Sequence, residues 1–212
     1  IKSLNPNCKV YGVQAAGAPS MYNSIRHHQK EILDRVSTIA DGIAVKNPGE
    51  LTYALCEKYV DDIVTVTDDE ISTAILALIE QQKLIAEGAG AVSVAAAMFN
   101  KVDIAGKKAA CLLSGGNIDV TILSRVITRG LFKAGRSADL TIALQDKPGQ
   151  LKDVSRIIAD LGGNVTSIHH DRANEGMDIN GCFLHIVMET RDWKHVEDIR
   201  KALSDAGFKI VS

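Results

Sequence analysis

A serine, two glycines and an asparagine in the middle of the chain could bind a flat ligand. The segment Leu112-Leu113-Ser114-Gly115-Gly116-Asn117 stands where an apolar run ends and a helix is predicted to begin. In an open α/β sheet, ligands bind outside the carboxyl ends of the strands. Two glycines let the backbone approach a planar molecule closely, and Asn117 could cap a helix whose first turn attracts anions. The same residues are as typical of a tight turn that binds nothing.

Alternating strands and helices would position this turn. Apolar and β-branched runs predict three strands, at Lys9–Val13, Ile63–Val66 and Lys108–Leu113. Caps and apolar spacing predict helices after Pro48, after the Thr67 and Glu70 capping box, over Gly88–Met98, and from Asp119 to a stop near Gly130. This alternation predicts a mostly parallel sheet with helices on both faces. We place this α/β domain at residues 1–130 and a linker at residues 131–137.

Three further segments belong with the turn: Gly12–Met21, Thr38–Val45 and Glu87–Ala91. Together with Ser114–Asn117, and in the same order, they resemble the threonine ammonia-lyases, a family of fold-type-II pyridoxal-phosphate enzymes. The resemblance covers essentially the whole chain, which is similar to the C-terminal portion of these enzymes. It implies an incomplete fold-type-II domain, pyridoxal 5'-phosphate as the cofactor of the full-length enzyme, and β-elimination of L-threonine to 2-oxobutanoate and ammonia.

The resemblance also implies roles for single residues. Ser114 would donate a hydrogen bond to the pyridine nitrogen of the cofactor, beside Gly115. Because a serine is neutral, it would not hold the ring fully protonated, which suits elimination better than transamination. Gly42 would lie against the cofactor through its backbone, and Glu87 would lie near the ring face or the substrate. The alternatives are a plain turn glycine at position 42 and a helix-start carboxylate at position 87.

The residues that would carry out catalysis do not occur in the sequence. Enzymes of this family hold the cofactor through a Schiff base to a lysine in a Ser-Phe-Lys-like motif, and neither that motif nor the four-glycine phosphate loop is present. They would be expected upstream of Ile1. Lys46, Lys83 and Lys107 are predicted to be surface residues. We therefore expect no catalytic residue in this chain, no bound cofactor and no activity from these residues alone.

No metal site is predicted. In relatives such as the serine racemases, the segment that matches Gln14–Ser20 binds a divalent cation through a carboxylate, a carbonyl and a side-chain oxygen. Gln14, Ala18 and Ser20 stand at those positions, so the carboxylate is lost. His169 and His170 are neighbours in a predicted strand and point to opposite faces.

A second pattern begins after the linker, at residues 138–212. The predicted order is βαββαβ, an α+β ferredoxin-like arrangement, with strands at Leu140–Leu144, Asn164–Arg172, Cys182–Glu189 and Phe208–Val211 and a hairpin at residues 173–181. One helix follows Lys147-Pro148-Gly149 and ends at Gly162, and the other runs from the Asp192 cap to Gly207.

This region resembles an ACT domain, the module that binds amino acids in regulated enzymes. The matching segments are Asp146–Leu151 and Gly162–Val165. Such domains pair side by side, which implies a homo-oligomer with an effector between one chain's turn and its partner, and isoleucine or valine as the effector. The implied effector-binding residues are Gly149, Gln150, Leu151, Asn164 and Val165. The alternative is a paired domain that joins subunits and binds no ligand.

Composition excludes several functions. Lys+Arg total 24 and Asp+Glu total 26, and no basic stripe with interleaved aromatics favours nucleic acid. No apolar run is long enough to span a bilayer. The four cysteines form no Cys-x-x-Cys pair, which argues against zinc and is typical of the reducing cytosol. Cys111 and Cys182 lie in apolar runs and are predicted to be core residues.

The sequence therefore favours a threonine ammonia-lyase with amino-acid regulation. Two alternatives stay open. The chain could act as an amino-acid-binding or dimerisation module, or it could belong to a related serine dehydratase or racemase. A biosynthetic role, as in isoleucine formation, and a catabolic role are not distinguished.

Overall fold

The computed structural model describes residues 1–172 and 180–212. The chain divides into two compact units, Ile1–Ile127 and Thr128–Ser212. Most of the hairpin predicted at residues 173–181 lies outside the described residues. No helix among the described residues is long and apolar enough to cross a membrane.

The first unit is a mixed α/β structure with a parallel strand pair. Its elements are β1 (Tyr11–Ala15), α1 (Ser20–His27), a 3₁₀ turn (Asp41–Ile43), α2 (Glu50–Tyr59), β2 (Asp62–Val66), α3 (Asp68–Ala77) with a π-helical turn (Leu78–Gln82), α4 (Gly88–Met98) and the start of α5 (Val120–Lys133). β1 pairs with β2 from Tyr11 opposite Asp62 to Ala15 opposite Val66. The β1 strand therefore begins two residues later than predicted.

The core of the first unit is built around α3 and α4. The predicted capping box starts α3: the Glu70 amide donates to Thr67 Oγ1 at 3.3 Å, and the Thr67 amide donates to Glu70 Oε2 at 2.8 Å. Ile71 and Ile75 are fully buried. α4 has the bounds that the sequence predicts, and its alanines and glycines allow the close packing of α3 against it.

Four predictions for residues 107–133 are wrong. Lys108–Leu113 form no strand, because they pair with no other strand among the described residues, and Cys111 is exposed rather than buried. Asp119, not Asn117, caps α5: its carboxylate accepts from the Thr121 amide at 2.7 Å. Backbone amides of Ile122 and Thr121 lower the pKa of Asp119. α5 also continues through Gly130 to Lys133.

The second unit has the predicted βαββαβ order. Its elements are β3 (Ser137–Gln145), α6 (Gln150–Asp160), β4 (Asn164–Asp171), β5 (Gly181–Glu189), α7 (Trp193–Asp205) and β6 (Lys209–Ile210). The strand order is β4-β5-β3-β6, and every neighbouring pair is antiparallel. This order is that of a ferredoxin-like sheet.

In the strands of the second unit, buried apolar residues alternate with more exposed ones, and the buried residues form the core. Every second residue of β3 and β5 is buried against the two helices, and these residues include Leu140, Ile142, Leu184 and Ile186. Asp192 caps α7 by accepting from the His195 amide at 2.8 Å, as predicted. The predicted core position of Cys182 is confirmed, since this residue has no exposed surface.

Candidate functional site

The Ser114–Asn117 turn lies against the start of α4. Glycines at the contact positions let the two backbones approach each other closely. The Glu87 amide donates to the Gly115 carbonyl at 3.0 Å. A Cβ added to Gly90 would lie 2.7 Å from the Gly115 oxygen, and one added to Gly116 would lie 2.9 Å from the Ile85 oxygen. Any side chain at position 90 or 116 would therefore force the two backbones apart.

The Thr38–Val45 segment joins the same cluster. A Cβ on Gly88 would lie 2.6 Å from the Ile39 oxygen, and one on Gly42 would lie 3.2 Å from the Ala89 Cβ. Asp68 at the start of α3 fixes this segment by accepting from Thr38 Oγ1 at 2.6 Å and from the Ile39 amide at 3.2 Å. Three segments that are distant in sequence are thus brought together. The sequence analysis missed Asp68, for which the only signal was its place in the first turn of a helix.

Glu87 is the residue before α4, in extended conformation, and its side chain does not cap the helix. The carboxylate lies over Gly115, since a Cβ there would be 2.2 Å from Glu87 Oε1. It accepts no hydrogen bond from the residues that the structure describes. A half-buried carboxylate at a helix start gains from the helix dipole, so the structure is compatible with both predicted roles of Glu87.

A cleft of about 150 Å³ opens beside Glu87. It is lined by Thr38, Ile39, Asp41, Glu87, Gly88, Asn117, Ile118, Asp119 and Ile122. Pockets for small molecules usually enclose about 300 to 1,000 Å³. The cleft is smaller than this range, and Ser114 is not among its lining residues.

Ser114 is exposed at the tip of the turn, and its hydroxyl makes no hydrogen bond with the described part of the chain. The preceding residues are anchored to α4, because Ser93 Oγ donates to the Leu112 oxygen at 2.9 Å. Ser114 is therefore free to meet an external acceptor. Gly42, Glu87 and Gly115 lie next to one another, with Ser114 at the edge of the group.

This group combines a free hydroxyl with two close backbone approaches. Glycines at positions 42 and 115 leave room for the Ala89 side chain and the Glu87 carboxylate, and the Ser114 hydroxyl is a neutral donor. The three lysines considered earlier have other partners: Lys46 Nζ donates to the Asp34 oxygen, Lys83 Nζ to the Glu80 oxygen, and Lys107 Nζ pairs with Asp103. None of these three contacts involves a residue of the turn.

The segment compared with a cation site has its side-chain oxygens in other hydrogen bonds. Gln14 Oε1 accepts from the Tyr22 amide at 2.8 Å, and the buried Ser20 hydroxyl donates to the Val45 oxygen at 2.6 Å. Both bonds fix the start of α1. The absence of a metal from this segment stays a prediction.

The implied effector residues fall into two groups at opposite ends of the second unit's sheet. Gly149 has φ +96° at the start of α6, and a Cβ there would meet nothing within 4 Å. Gln150 and Leu151 follow it. Asn164 begins β4 opposite Glu189, to which its side chain donates at 2.9 Å, and Val165 follows. Since β3 runs the full length of the sheet, about 25 Å separates the groups, and they do not form one site within a single chain.

A parallel strand pair flanked by helices places the first unit among the α/β proteins. Comparison with family models is specific: residues 1–115 match the model "Pyridoxal-phosphate dependent enzyme", and residues 138–211 match the model "ACT domain". The chain belongs to the pyridoxal-phosphate dependent enzyme family, and its second unit contains an ACT domain.

Individual relatives agree with the first match. An L-threonine ammonia-lyase from Thermotoga maritima is 48% identical over 210 residues, which is 99% of this chain and 52% of that protein. A processed threonine deaminase from Solanum lycopersicum has a TM-score of 0.54 and 36% identity, covering 60% of this chain and 36% of its own. A maize serine racemase has a TM-score of 0.54 and 28% identity, covering 62% and 41%. The chain spans about half the length of the curated relatives it matches.

Proposed function

We propose that this chain forms part of an ammonia-lyase that eliminates water from L-threonine and releases 2-oxobutanoate and ammonia. The observation that carries the proposal is the free Ser114 hydroxyl on a turn that Gly90 and Gly115 hold against α4. The name of the Thermotoga maritima relative supports threonine as the substrate. Four free cysteines support a location in the reducing cytosol.

The residues of the turn would bind and orient the cofactor. Pyridoxal phosphate, when bound, supplies an electron-withdrawing ring that makes the α-hydrogen of an amino acid more acidic. Ser114 would donate to the ring nitrogen and, because a hydroxyl carries no negative charge, would leave it largely unprotonated. Gly42 and Gly115 would approach the ring through their backbones. Glu87 keeps a carboxylate beside Gly115, where it can meet the ring face or the substrate.

The proton transfer requires a base that these residues do not supply. General acid–base catalysis needs a titratable group within hydrogen-bond reach of the reacting carbon, and Lys46, Lys83 and Lys107 are bound elsewhere. We therefore expect the 212 residues alone to form no 2-oxobutanoate from threonine. Product formed by the purified chain would contradict this expectation.

The substrate proposal is tested with a polypeptide that carries these residues together with a cofactor-binding lysine. Ser114→Ala should lower kcat/KM for threonine about tenfold, the loss expected for one hydrogen bond. Ser155→Ala is the control, since this half-buried serine of α6 donates only to the Lys152 oxygen. Serine, assayed in parallel for ammonia release and for racemisation, distinguishes the related lyases and racemases. Equal activities of the two variants would contradict the role of Ser114.

We further propose that two copies pair through their ACT domains and bind isoleucine or valine between them. The support is the separation of Gly149 from Asn164: a single chain places these groups at opposite ends of its sheet, whereas a partner could bring them together. Calorimetry with each amino acid should show binding that Asn164→Ala weakens. If no common amino acid produces a measurable heat of binding, the result would favour an ACT pair that only joins subunits.

A further inference from the structure

Three neighbouring strands of the second unit bring an aspartate, a histidine and a cysteine together. Asp146 follows β3, His170 belongs to β4 and Cys182 belongs to β5. Leu144 is opposite Cys182, and His170 is opposite Leu184. Since side chains alternate across a sheet, Asp146 and His170 project on the same face as the buried Cys182. The sequence shows no metal-ligand spacing here, because the cluster depends on strand register.

The side-chain atoms are close enough to share one ion. His170 Nε2 lies 2.8 Å from Cys182 Sγ, and one ligand atom from each of the three residues lies within 4.8 Å of the others. Arg172 Nε holds the Asp146 carboxylate at 2.9 Å. Asp146 and His170 are exposed while Cys182 is buried, so an ion could reach the sulfur from the solvent side without unfolding the sheet.

The donor types select among metals. A thiolate, an imidazole and a carboxylate form a set that zinc accepts, whereas magnesium and calcium prefer oxygen alone. Zinc bonds of about 2.0 to 2.3 Å in tetrahedral geometry place ligand atoms roughly 3.5 Å apart. The His170 ring must therefore move away from the sulfur by less than about 1 Å, which an exposed side chain can do. A carboxylate has enough lone pairs to bind zinc and keep Arg172.

We propose that Asp146, His170 and Cys182 form a zinc-binding site in the ACT domain. Binding forms a zinc–sulfur bond and breaks the thiol S–H bond, and the proton leaves to solvent. The three ligands leave a fourth position for water. Because Asp146 leads directly into the Lys147-Pro148-Gly149 turn, the ion would fix the end of β3 beside the start of α6. The site is independent of the proposed reaction.

The test is titration of the chain with Zn²⁺, followed by calorimetry, and with Co²⁺, followed by absorption. The wild-type chain should bind one equivalent of Zn²⁺, show a thiolate-to-cobalt charge-transfer band, and unfold at a higher temperature when zinc is present, since only the folded chain holds the complete site. His170→Gln should weaken zinc binding by about tenfold or more and abolish the zinc-dependent stabilisation. Asp146→Asn should also weaken zinc binding and reduce the zinc-dependent stabilisation.

Two controls separate this site from chance binding. His169→Gln changes the neighbouring histidine, which pairs with His185 on the other face of the sheet, and Cys111→Ala removes an exposed cysteine of the first unit. Both variants should bind zinc as the wild type does. The proposal is wrong if no stoichiometric binding occurs, or if His170→Gln binds zinc as tightly as His169→Gln does. His170 and His169 are both exposed, so neither His170→Gln nor His169→Gln should disturb the packing of the core.

Discussion

Selected apolar side chains of the two units differ in how much of their surface is exposed. In the second unit, Ile142 and Leu184 alternate with half-buried residues and have no exposed surface. In the first unit, Ile85 is 58% exposed, Leu112 78% and Val120 77%. A hydrophobic pattern therefore produces burial only where a partner surface exists: β3 and β5 pair along their full length, whereas residues 107–114 pair with no strand among the described residues.

The difference also separates two kinds of site. The Ser114–Asn117 turn is held by backbone contacts between irregular segments, such as the Glu87 amide with the Gly115 carbonyl. The cluster of Asp146, His170 and Cys182 is held by strand register. We expect the turn to be sensitive to single added methyl groups and the cluster to be sensitive to the ligand side chains alone.

The largest expected difference in stability is between two variants in which a large apolar side chain is replaced by alanine. Ile142→Ala removes a fully buried side chain and should lower the free energy of unfolding of the second unit by about 2 to 5 kcal/mol. Trp193, the single tryptophan, lies in this unit, so its fluorescence in urea follows the relevant transition. Leu112→Ala should change the first unit's stability, followed by hydrogen exchange, by no more than about 0.5 kcal/mol. Comparable losses from both variants would show that residues 107–114 are as tightly packed as β3.

The next prediction concerns the glycine contact in the first unit. Gly90→Ala places a Cβ 2.7 Å from the Gly115 oxygen and should destabilise this unit by about 1 to 3 kcal/mol through overpacking. Exchange of the Glu87 amide, which donates to Gly115, should become faster. Gly12→Ala is the control, because its methyl meets only the Ile63 side chain at 3.1 Å or more. If Gly90→Ala leaves the exchange rate unchanged, the turn is not held as we describe.

The N-terminal cap of α3 gives a further test, since this helix holds two of the three buried isoleucines of the first unit, Ile71 and Ile75. Thr67→Ala removes the acceptor for the Glu70 amide and should cost about 1 kcal/mol. Thr73→Ala, in the middle of α3, should be nearly neutral because alanine favours a helix. Thermal unfolding of both variants by circular dichroism measures the effect. A larger loss from Thr73→Ala would contradict the capping assignment.

The smallest expected effect depends on pH. Lys2, the Val10 amide and Lys9 donate to Asp61 and hold its pKa well below the usual range. A carboxyl whose pKa is lowered by folding stabilises the fold above its unfolded pKa of about 3.9, and this contribution is lost as the pH falls further. The difference in Tm between wild type and Asp61→Asn should therefore be constant near neutral pH and shrink below about pH 4.

Asp139→Asn, at an exposed position of β3, provides the control for the removal of one carboxylate charge. A difference in Tm for Asp61→Asn that stays constant down to pH 2 would mean that the ion pairs with Lys2 and Lys9 do not stabilise the first unit.

The sequence predicts the second unit better than the first for a physical reason. Alternation, the Asp192 cap and the positive φ of Gly162 and Gly207 are local signals, and they set the bounds of its strands and helices. In the first unit the capping box and α4 are also local and were predicted correctly. The strand at Lys108–Leu113 was not, because strand formation needs a partner that local sequence does not reveal.

The two candidate sites also differ in how far the sequence could predict them. Gly42, Glu87, Ser114 and Gly115 were identified through a family resemblance, and their proximity depends on how distant segments pack. Helix α5 continues through Gly130 because one glycine weakens a helix by only about 1 kcal/mol, which the flanking residues offset. The cluster at Cys182 could not be predicted at all, since one residue of register shift would move His170 to the opposite face.

The most direct test of the central claim is the protonation state of the cofactor's pyridine nitrogen. A polypeptide with these residues and a cofactor-binding lysine would be loaded with cofactor labelled at that nitrogen, and its nuclear magnetic resonance shift recorded. We predict an unprotonated, hydrogen-bonded nitrogen that shifts in Ser114→Ala and becomes protonated in Ser114→Asp. Identical shifts in all three proteins would contradict the assignment of Ser114.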